Sequence, residues 1–207
     1  MSAPYTCLAL DIGGVICADT WESLFFAPHI GLAAHYKLDP ALVRAKGEEL
    51  WNVYAYAQRE EEDYWKSWEQ ALNRTLDRAL IAQLYTKALW ADASAVAVIK
   101  RCLESGMQVA FVSNSTAFWF PRQMKHTRLE EIEPKCLRFL SHETGLSKTH
   151  ARGGLVQLAA KVKPEQTIFV DDRTENIAVA QKLGMATVHY QRETHGDLAA
   201  ALKGMGL

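Results

Sequence analysis

Five short apolar runs along the chain predict β-strands, and the segments between them carry mostly helical patterns of apolar positions. Strands that alternate with helices form right-handed β-α-β units, because two parallel strands can be joined only by a crossover connection. The pattern therefore predicts an α/β fold with a doubly wound parallel sheet. The predicted strands cover residues 5–10, 108–112, 136–140, 167–170 and 186–190, and the helices among them cover residues 95–104, 118–131, 155–161 and 175–183, followed by a short C-terminal helix.

Residues 21–90 depart from this alternation, because they contain no convincing strand and their pattern is helical throughout. We therefore predict a core domain, residues 1–18 and 91–207, that is interrupted directly after its first strand by an all-helical domain, residues 19–90. The clearest helices in the interruption are predicted over residues 40–58, 60–73 and 76–89.

Besides Trp90 at its end, four of the six tryptophans fall in this helical segment. Aromatic side chains bury large apolar areas where helices meet. We therefore expect these tryptophans to pack between helices rather than to stack on a ligand. They are Trp21, Trp51, Trp65 and Trp68.

The composition is typical of a globular protein in water, with 49% hydrophobic and 23% charged residues. A net charge of −1 gives no general attraction to nucleic acid or to acidic membranes. No apolar run approaches the ~18 residues of a membrane span, and the N-terminus lacks the basic region of a signal peptide. The four cysteines show no metal-finger spacing. We expect a cytoplasmic protein that binds neither nucleic acid nor membranes.

Polar side chains follow three of the predicted strands: Asp11 the first, Ser113 and Asn114 the second, and Asp171 and Asp172 the fourth. A parallel sheet gathers the carboxyl ends of its strands at one edge, so these side chains should converge. Three carboxylates in one crevice raise one another's pKa unless a cation neutralises them. Because all the candidate ligands are oxygen atoms, a hard cation is favoured, Mg²⁺ before Ca²⁺.

Lys148 offers a compact positive charge for the same site, although a lysine in a loop can equally be a solvated surface residue. Ser113 and Asn114 add hydrogen-bond donors. A metal, a lysine and hydroxyl donors around one carboxylate suit phosphoryl transfer through an aspartyl-phosphate intermediate, with Asp11 as the carboxylate.

In this order the motifs resemble those of the haloacid dehalogenase-like (HAD) hydrolase superfamily. Residues 8–15 look like its first motif, Val112-Ser113-Asn114 its second, Lys148 its third, and residues 168–172 followed by Asn176 its fourth. The resemblance implies a Rossmann-like HAD core, and the helical interruption is similar to the superfamily's C1 cap. The stretch of residues 141–146 further resembles the branch of glucose-1-phosphatase and the epoxide-hydrolase N-domain.

The resemblance assigns a metal site and a nucleophile. Asp11 would be both the nucleophile and a Mg²⁺ ligand, and the backbone carbonyl of Gly13 would be a second ligand. Asp172 would bind the metal directly. Asp171 would be either a further ligand or a partner that acts through water.

The resemblance also implies how a phosphorylated substrate is held. Ser113 would hydrogen-bond the transferring phosphoryl group, with the backbone N–H of Asn114 nearby. Lys148 would offset the charge on Asp11 and on the phosphate. Asn176 would orient the acidic loop, although an asparagine at the start of a helix can also simply cap it.

The sequence departs from the family pattern at two positions. Most phosphatases of the superfamily have a second Asp two residues after the nucleophile, as general acid and base, and Gly13 stands there. Loss of such a group typically lowers the rate by ~10² to 10⁴. Substrates with good leaving groups, or another proton donor, are therefore expected. Asp19 is a candidate donor and also a candidate N-cap, and Thr149 replaces a proline that commonly follows the motif lysine.

Three functional hypotheses follow. The first is a Mg²⁺-dependent phosphatase acting on a small phosphorylated metabolite. The second is a metal-independent 2-haloacid dehalogenase, which the adjacent acidic pair disfavours. The third is a catalytically impaired protein used for binding or regulation, which only Gly13 favours. The substrate depends on which side chains face the cleft, and periodicity does not choose among Phe25, Phe26, Trp51, Tyr54 and Trp65.

Overall fold

The structure is a computed structural model and describes residues 5–207. In these residues, five parallel strands form one sheet. Residues 1–4 of the predicted core domain lie outside the described residues. The sheet has the strand order β3-β2-β1-β4-β5, with every neighbouring pair parallel. This arrangement confirms the predicted doubly wound α/β fold. The strands are β1 (Cys7–Leu10), β2 (Gln108–Ser113), β3 (Leu137–Leu140), β4 (Thr167–Asp171) and β5 (Ala186–His189).

Helices cover both faces of the sheet, which explains why its strands are almost continuously apolar. Leu8 and Leu10 of β1 face one side, against helices α6 and α12, while Cys7 and Ala9 face the other, against α9 and α10. The helices outside the long interruption are α6 (Ala95–Glu104), α7 (Trp119–His126), α8 (Ser141–Thr144), α9 (Gly154–Ala159), α10 (Thr174–Lys182), α11 (Arg192–His195) and α12 (Leu198–Leu202).

The segment between β1 and β2 is helical, as predicted, and no described residue in 21–90 belongs to a strand. Its helices are α1 (Thr20–Phe26), α2 (Leu32–His35), α3 (Pro40–Tyr54), α4 (Glu61–Leu72) and α5 (Arg78–Lys87). The longest, α3, has 15 residues, and none of the described helices is both long and apolar enough to cross a membrane.

Two predicted helices end earlier than the apolar pattern suggested. The helix predicted over 118–131 ends at His126, because Arg128 adopts a left-handed backbone with φ of 60°. The helix predicted over 40–58 ends at Tyr54. In both cases apolar residues beyond the helix continue the pattern without continuing the helix.

The helical segment has an aromatic core of its own, which includes Phe25, Trp65 and Trp68. The expectation of packing between helices is confirmed for Trp65 and Trp68, which are almost fully buried. It is incomplete for Trp21 and Trp51, which are half-buried and line a cleft beside the sheet. The division of the chain into a core and a cap domain at residues 19–90 stays a prediction.

Candidate active site

The polar ends of β1, β2 and β4 meet at one edge of the sheet. Strand β1 lies between the other two, with Leu10 opposite Phe111 on one side and Val170 on the other. Asp11, the next residue, is therefore flanked by the ends of both neighbours. Each of the carboxylates of Asp11, Asp171 and Asp172 offers an oxygen within 4.8 Å of the others.

Lys148 lies between two of these carboxylates. Its buried ammonium group donates to Asp11 Oδ2 and, over 2.7 Å, to Asp171 Oδ2. Burial opposes the charge of Lys148, but the charges of Asp11 and Asp171 outweigh it, so the pKa of Lys148 is raised. The alternative of a solvated loop lysine is therefore wrong.

Asn114 positions Lys148 in a way that the sequence did not predict. Its side-chain Oδ1 accepts a 2.8 Å hydrogen bond from the backbone N–H of Lys148, 34 residues further along the chain. This bond ties the loop that carries the lysine to the end of β2. Ser113, which precedes Asn114, is buried at the cleft wall, and its hydroxyl makes only a 3.4 Å contact with the Asn114 carbonyl.

Asp171 is held by groups that stabilise its charged form. Asn176, in the first turn of α10, donates from Nδ2 to Asp171 Oδ1 over 2.8 Å, and the backbone N–H of Arg173 donates to the same oxygen over 2.9 Å. Burial first, and then the charge of Asp11, outweigh these donors and the Lys148 ammonium group, so the pKa of Asp171 is raised to about 7. The side chain of Asn176 thus orients the acidic loop and does not cap α10.

Asp172 has a buried oxygen, Oδ1, for which the described residues supply no hydrogen-bond partner. Burial first, and then the charge of Asp11, raise the pKa of Asp172 to about 6. An unpartnered carboxylate oxygen beside two further carboxylates is a position that suits a cation.

Gly14 leaves the space that the side chain of Asp172 occupies, a role that the sequence did not predict. Gly14 has a φ of +82°, and a Cβ on it would lie only 2.4 Å from Asp172 Oδ2. Both the backbone conformation and the close approach of the carboxylate therefore require glycine.

We expect Gly14→Ala to displace Asp172, since its methyl group meets a carboxylate and its backbone is strained by ~1 kcal/mol or more. Gly106 is a matched control, because it has a φ of +83° but a Cβ added to it would meet no atom within 4 Å beyond its chain neighbours. In denaturant titrations both alanine variants should lose free energy of unfolding. Only Gly14→Ala should also weaken Mg²⁺ binding by calorimetry, and equal affinities in the two variants would contradict this role.

The cleft next to the carboxylates has a volume of about 520 Å³. Its outer wall comes from α1, α3 and the loop after α3, and includes Trp21, Arg44, Trp51 and Tyr56. Gly47 of α3 makes this wall possible, because a Cβ there would lie 2.2 Å from the Trp21 ring.

Only one of the aromatic residues considered for the cleft lines it, namely Trp51. Phe25, Tyr54 and Trp65 are buried in the aromatic core instead, and Phe26 packs against that core with the Arg44 guanidinium 4.1 Å from its ring centre. Of the five residues among which periodicity did not choose, the cleft therefore contains one, and Trp21 and Tyr56 are further aromatic residues that line it.

Asp19 also lines the cleft, directly before α1. Its Oδ1 accepts the backbone N–H of Glu22 over 3.0 Å, so the predicted N-cap is present. Its Oδ2 lies 3.6 Å from Arg173 Nη2, and its side chain is 38% exposed.

Comparisons with known proteins show the fold. No family model and no curated protein matches the chain. A HAD family enzyme from Bacteroides thetaiotaomicron, in a magnesium complex, is 18% identical with a TM-score of 0.68 over 91% of this chain and 94% of that one. A predicted HAD-like family hydrolase from Porphyromonas gingivalis is 22% identical, with a TM-score of 0.64, and the match covers 89% of this chain and 90% of that one. A HAD phosphatase from Thermococcus onnurineus is 16% identical, with a TM-score of 0.62 over 97% of each chain.

The chain therefore has the HAD-like fold, as its motifs predicted. The Bacteroides enzyme has also been solved in complex with magnesium and inorganic phosphate. The closer resemblance to the branch of glucose-1-phosphatase and the epoxide-hydrolase N-domain stays a prediction.

Proposed function

We propose that the protein is a Mg²⁺-dependent phosphatase that hydrolyses a small phosphorylated metabolite through an aspartyl-phosphate intermediate. The observation that carries this proposal is the position of Asp11, which shares the ammonium group of Lys148 with Asp171 and lines a cleft. The HAD-like fold and the magnesium and phosphate complexes of a structural neighbour support it.

The residues present suit a magnesium ion. The donors are all oxygen atoms, and the unpartnered Oδ1 of Asp172 is a free ligand. We assign Asp11, Asp172 and the Gly13 carbonyl as ligands. Both oxygens of Asp171 are already engaged, which favours Asp171 as an orienting partner over a direct ligand. Bound Mg²⁺ would offset the negative charge of the phosphoryl oxygens and of the carboxylates.

The chain's own groups account for the remaining chemistry. The backbone N–H of Ile12 holds Asp11 Oδ1 over 2.7 Å, and the Lys148 ammonium group donates to Asp11 Oδ2. Attack of Asp11 on phosphorus forms the aspartyl phosphate as the bond to the leaving oxygen breaks, and water then hydrolyses this intermediate. Ser113 can donate its hydroxyl to a phosphoryl oxygen, because within the described part of the chain that hydroxyl makes one weak contact, of 3.4 Å.

We further propose that residues 19–90 act as a cap. Trp21, Arg44 and Trp51 of this segment line the same cleft as Asp11, so they would contact the part of the substrate beyond the phosphate. Closure of such a layer would exclude water during transfer.

Activity with and without magnesium tests the proposed function. The purified protein should release phosphate from p-nitrophenyl phosphate in Mg²⁺ and lose at least ~10²-fold of that rate in excess chelator, because the acidic pair would be left uncompensated. Readdition of Mg²⁺ should restore the rate. Turnover that is indifferent to the chelator would contradict the proposal.

Two further assays of the same purified protein test the alternatives, a 2-haloacid dehalogenase and a binding or regulatory protein. Chloride release from a 2-haloacid in the presence of chelator would support the dehalogenase. Calorimetric Mg²⁺ binding without turnover of any phosphate ester would support a binding or regulatory protein.

A further inference from the structure

Asp19 returns to the neighbourhood of Gly13 because the loop after β1 folds back on itself. The Gly14 N–H donates to the Cys17 carbonyl over 2.7 Å, and the N–H groups of Ile16 and Cys17 both donate to the Ile12 carbonyl. This tight turn brings residue 19 beside residue 13. A Cβ on Gly13 would lie 3.6 Å from the Asp19 Cα and 4.0 Å from Asp19 Oδ2.

We propose that Asp19 is the proton donor and acceptor of the reaction, in place of the carboxyl group that Gly13 lacks; this inference rests on the proposed phosphatase function. Asp19 brings a carboxylate oxygen, Oδ2, to within 4.0 Å of the place where the side chain of residue 13 would begin. It lines the same cleft as Asp11, and its 38% exposure makes it accessible to a substrate.

The two oxygens of Asp19 have different environments, which suits two tasks. Oδ1 is fixed as the N-cap of α1 by the Glu22 N–H. Among residues 5–207, the polar neighbour of Oδ2 is Arg173, whose Nη2 lies at 3.6 Å, beyond hydrogen-bond distance. The cap therefore fixes the position of the carboxyl group, while Oδ2 remains free to hold and transfer a proton.

The proton transfers balance over the two steps. In the first, Asp11 bonds to phosphorus, the bond from phosphorus to the ester oxygen breaks, and Asp19 Oδ2–H gives its proton to that oxygen, which leaves as the alcohol. In the second, Asp19 carboxylate takes a proton from water as the water oxygen bonds to phosphorus. The aspartyl-phosphate bond then breaks, phosphate leaves, and both side chains return to their starting states.

Asp19→Asn tests this role without removing the helix cap, because asparagine is an equally good N-cap residue. Asp39→Asn is the matched control: Asp39 caps α3 through a 2.9 Å bond from the Ala41 N–H and does not line the cleft. Both variants should melt at nearly the wild-type temperature. Any rate difference between them then reports chemistry rather than folding.

The expected signature is a dependence on the leaving group. An alkyl phosphate needs its leaving oxygen protonated, whereas p-nitrophenolate leaves readily without a proton. Asp19→Asn should therefore lower kcat/KM by ~10² to 10⁴ for an alkyl phosphate and much less for p-nitrophenyl phosphate, while Asp39→Asn changes neither. Recovery of alkyl phosphate turnover in Gly13→Asp/Asp19→Asn would add support, since residue 13 has no positive φ and a Cβ on it would make only contacts of 3.6 Å or longer.

Two results would overturn the inference, and they are distinguishable from failure of the proposed function. Wild-type alkyl phosphate turnover that Asp19→Asn leaves unchanged would assign Asp19 to capping alone. An equal loss of kcat/KM, which reports the first step, for both substrates would assign it to a general structural role. If the wild type shows no Mg²⁺-dependent phosphatase activity at all, the proposed function fails, and the role of Asp19 falls with it.

Discussion

Asp11→Asn is expected to abolish phosphate release, with a loss on the order of 10⁴-fold or more, because an amide is not a competent nucleophile toward phosphorus. The substitution is nearly isosteric. The asparagine Oδ1 can still accept the Ile12 N–H, and Lys148 retains its bond to Asp171. The fold should therefore survive, and the loss of one of three crowded carboxylates removes like-charge repulsion.

A matched control for this variant is available in Asp92, another buried aspartate. It lies outside the cleft and is bonded to the N–H groups of Ser94 and Leu198 and, over 3.3 Å, to the Tyr190 hydroxyl. Asp92→Asn should lower the melting temperature and leave the specific activity of the folded fraction intact. Asp11→Asn activity within tenfold of wild type would rule out Asp11 as the nucleophile.

Lys148→Met is expected to have the second largest effect, on stability as well as on rate. The variant leaves Asp11 and Asp171 buried without their shared cation, and breaking a buried ion pair in this way costs about 3–5 kcal/mol of unfolding free energy. Added Mg²⁺ should recover part of that loss, since a ligand that binds only the folded state stabilises it. The rate should fall on the order of 10²- to 10³-fold even with Mg²⁺, because a charge-stabilising group is gone.

Urea titrations with and without Mg²⁺, run beside Lys161→Met, measure this effect. Lys161 is an exposed lysine just after α9, outside the cleft, so its loss should leave both stability and rate nearly unchanged. Were Lys148→Met as stable as wild type without Mg²⁺, the ammonium group would not be compensating the buried carboxylates.

Sequence and structure agree more fully on the fold than on the site. The apolar runs predicted the sheet, because strands buried on both faces must be apolar throughout, and the motif order predicted the HAD-like fold. The helix ends at His126 and Tyr54 could not be predicted from the sequence, because apolar residues past the end of a helix can pack just as well in a turn.

Within the site, the sequence identified the groups that carry charge but not the groups that hold them. Asp11, Asp171, Asp172 and Lys148 were predicted to converge, and the structure brings them together. The bond from Asn114 to the Lys148 backbone joins residues far apart in sequence, and no local pattern encodes such a contact. The catalytic roles of the four charged residues remain predictions, which the variants described above test.

The sequence by itself determined the alternation of strands and helices and the chemistry available at the strand ends, because both follow from local residue order. Only the tertiary structure decided which side chains face one another. Asp171 accepts hydrogen bonds, whereas Asp172 has an oxygen without a hydrogen-bond partner among the described residues. Trp21 rather than Trp65 lines the cleft, and Asp19 lies beside Gly13. These relations depend on the direction in which each turn leaves its strand. Contacts across the whole fold set that direction, so the periodicity of apolar positions along the chain cannot predict it.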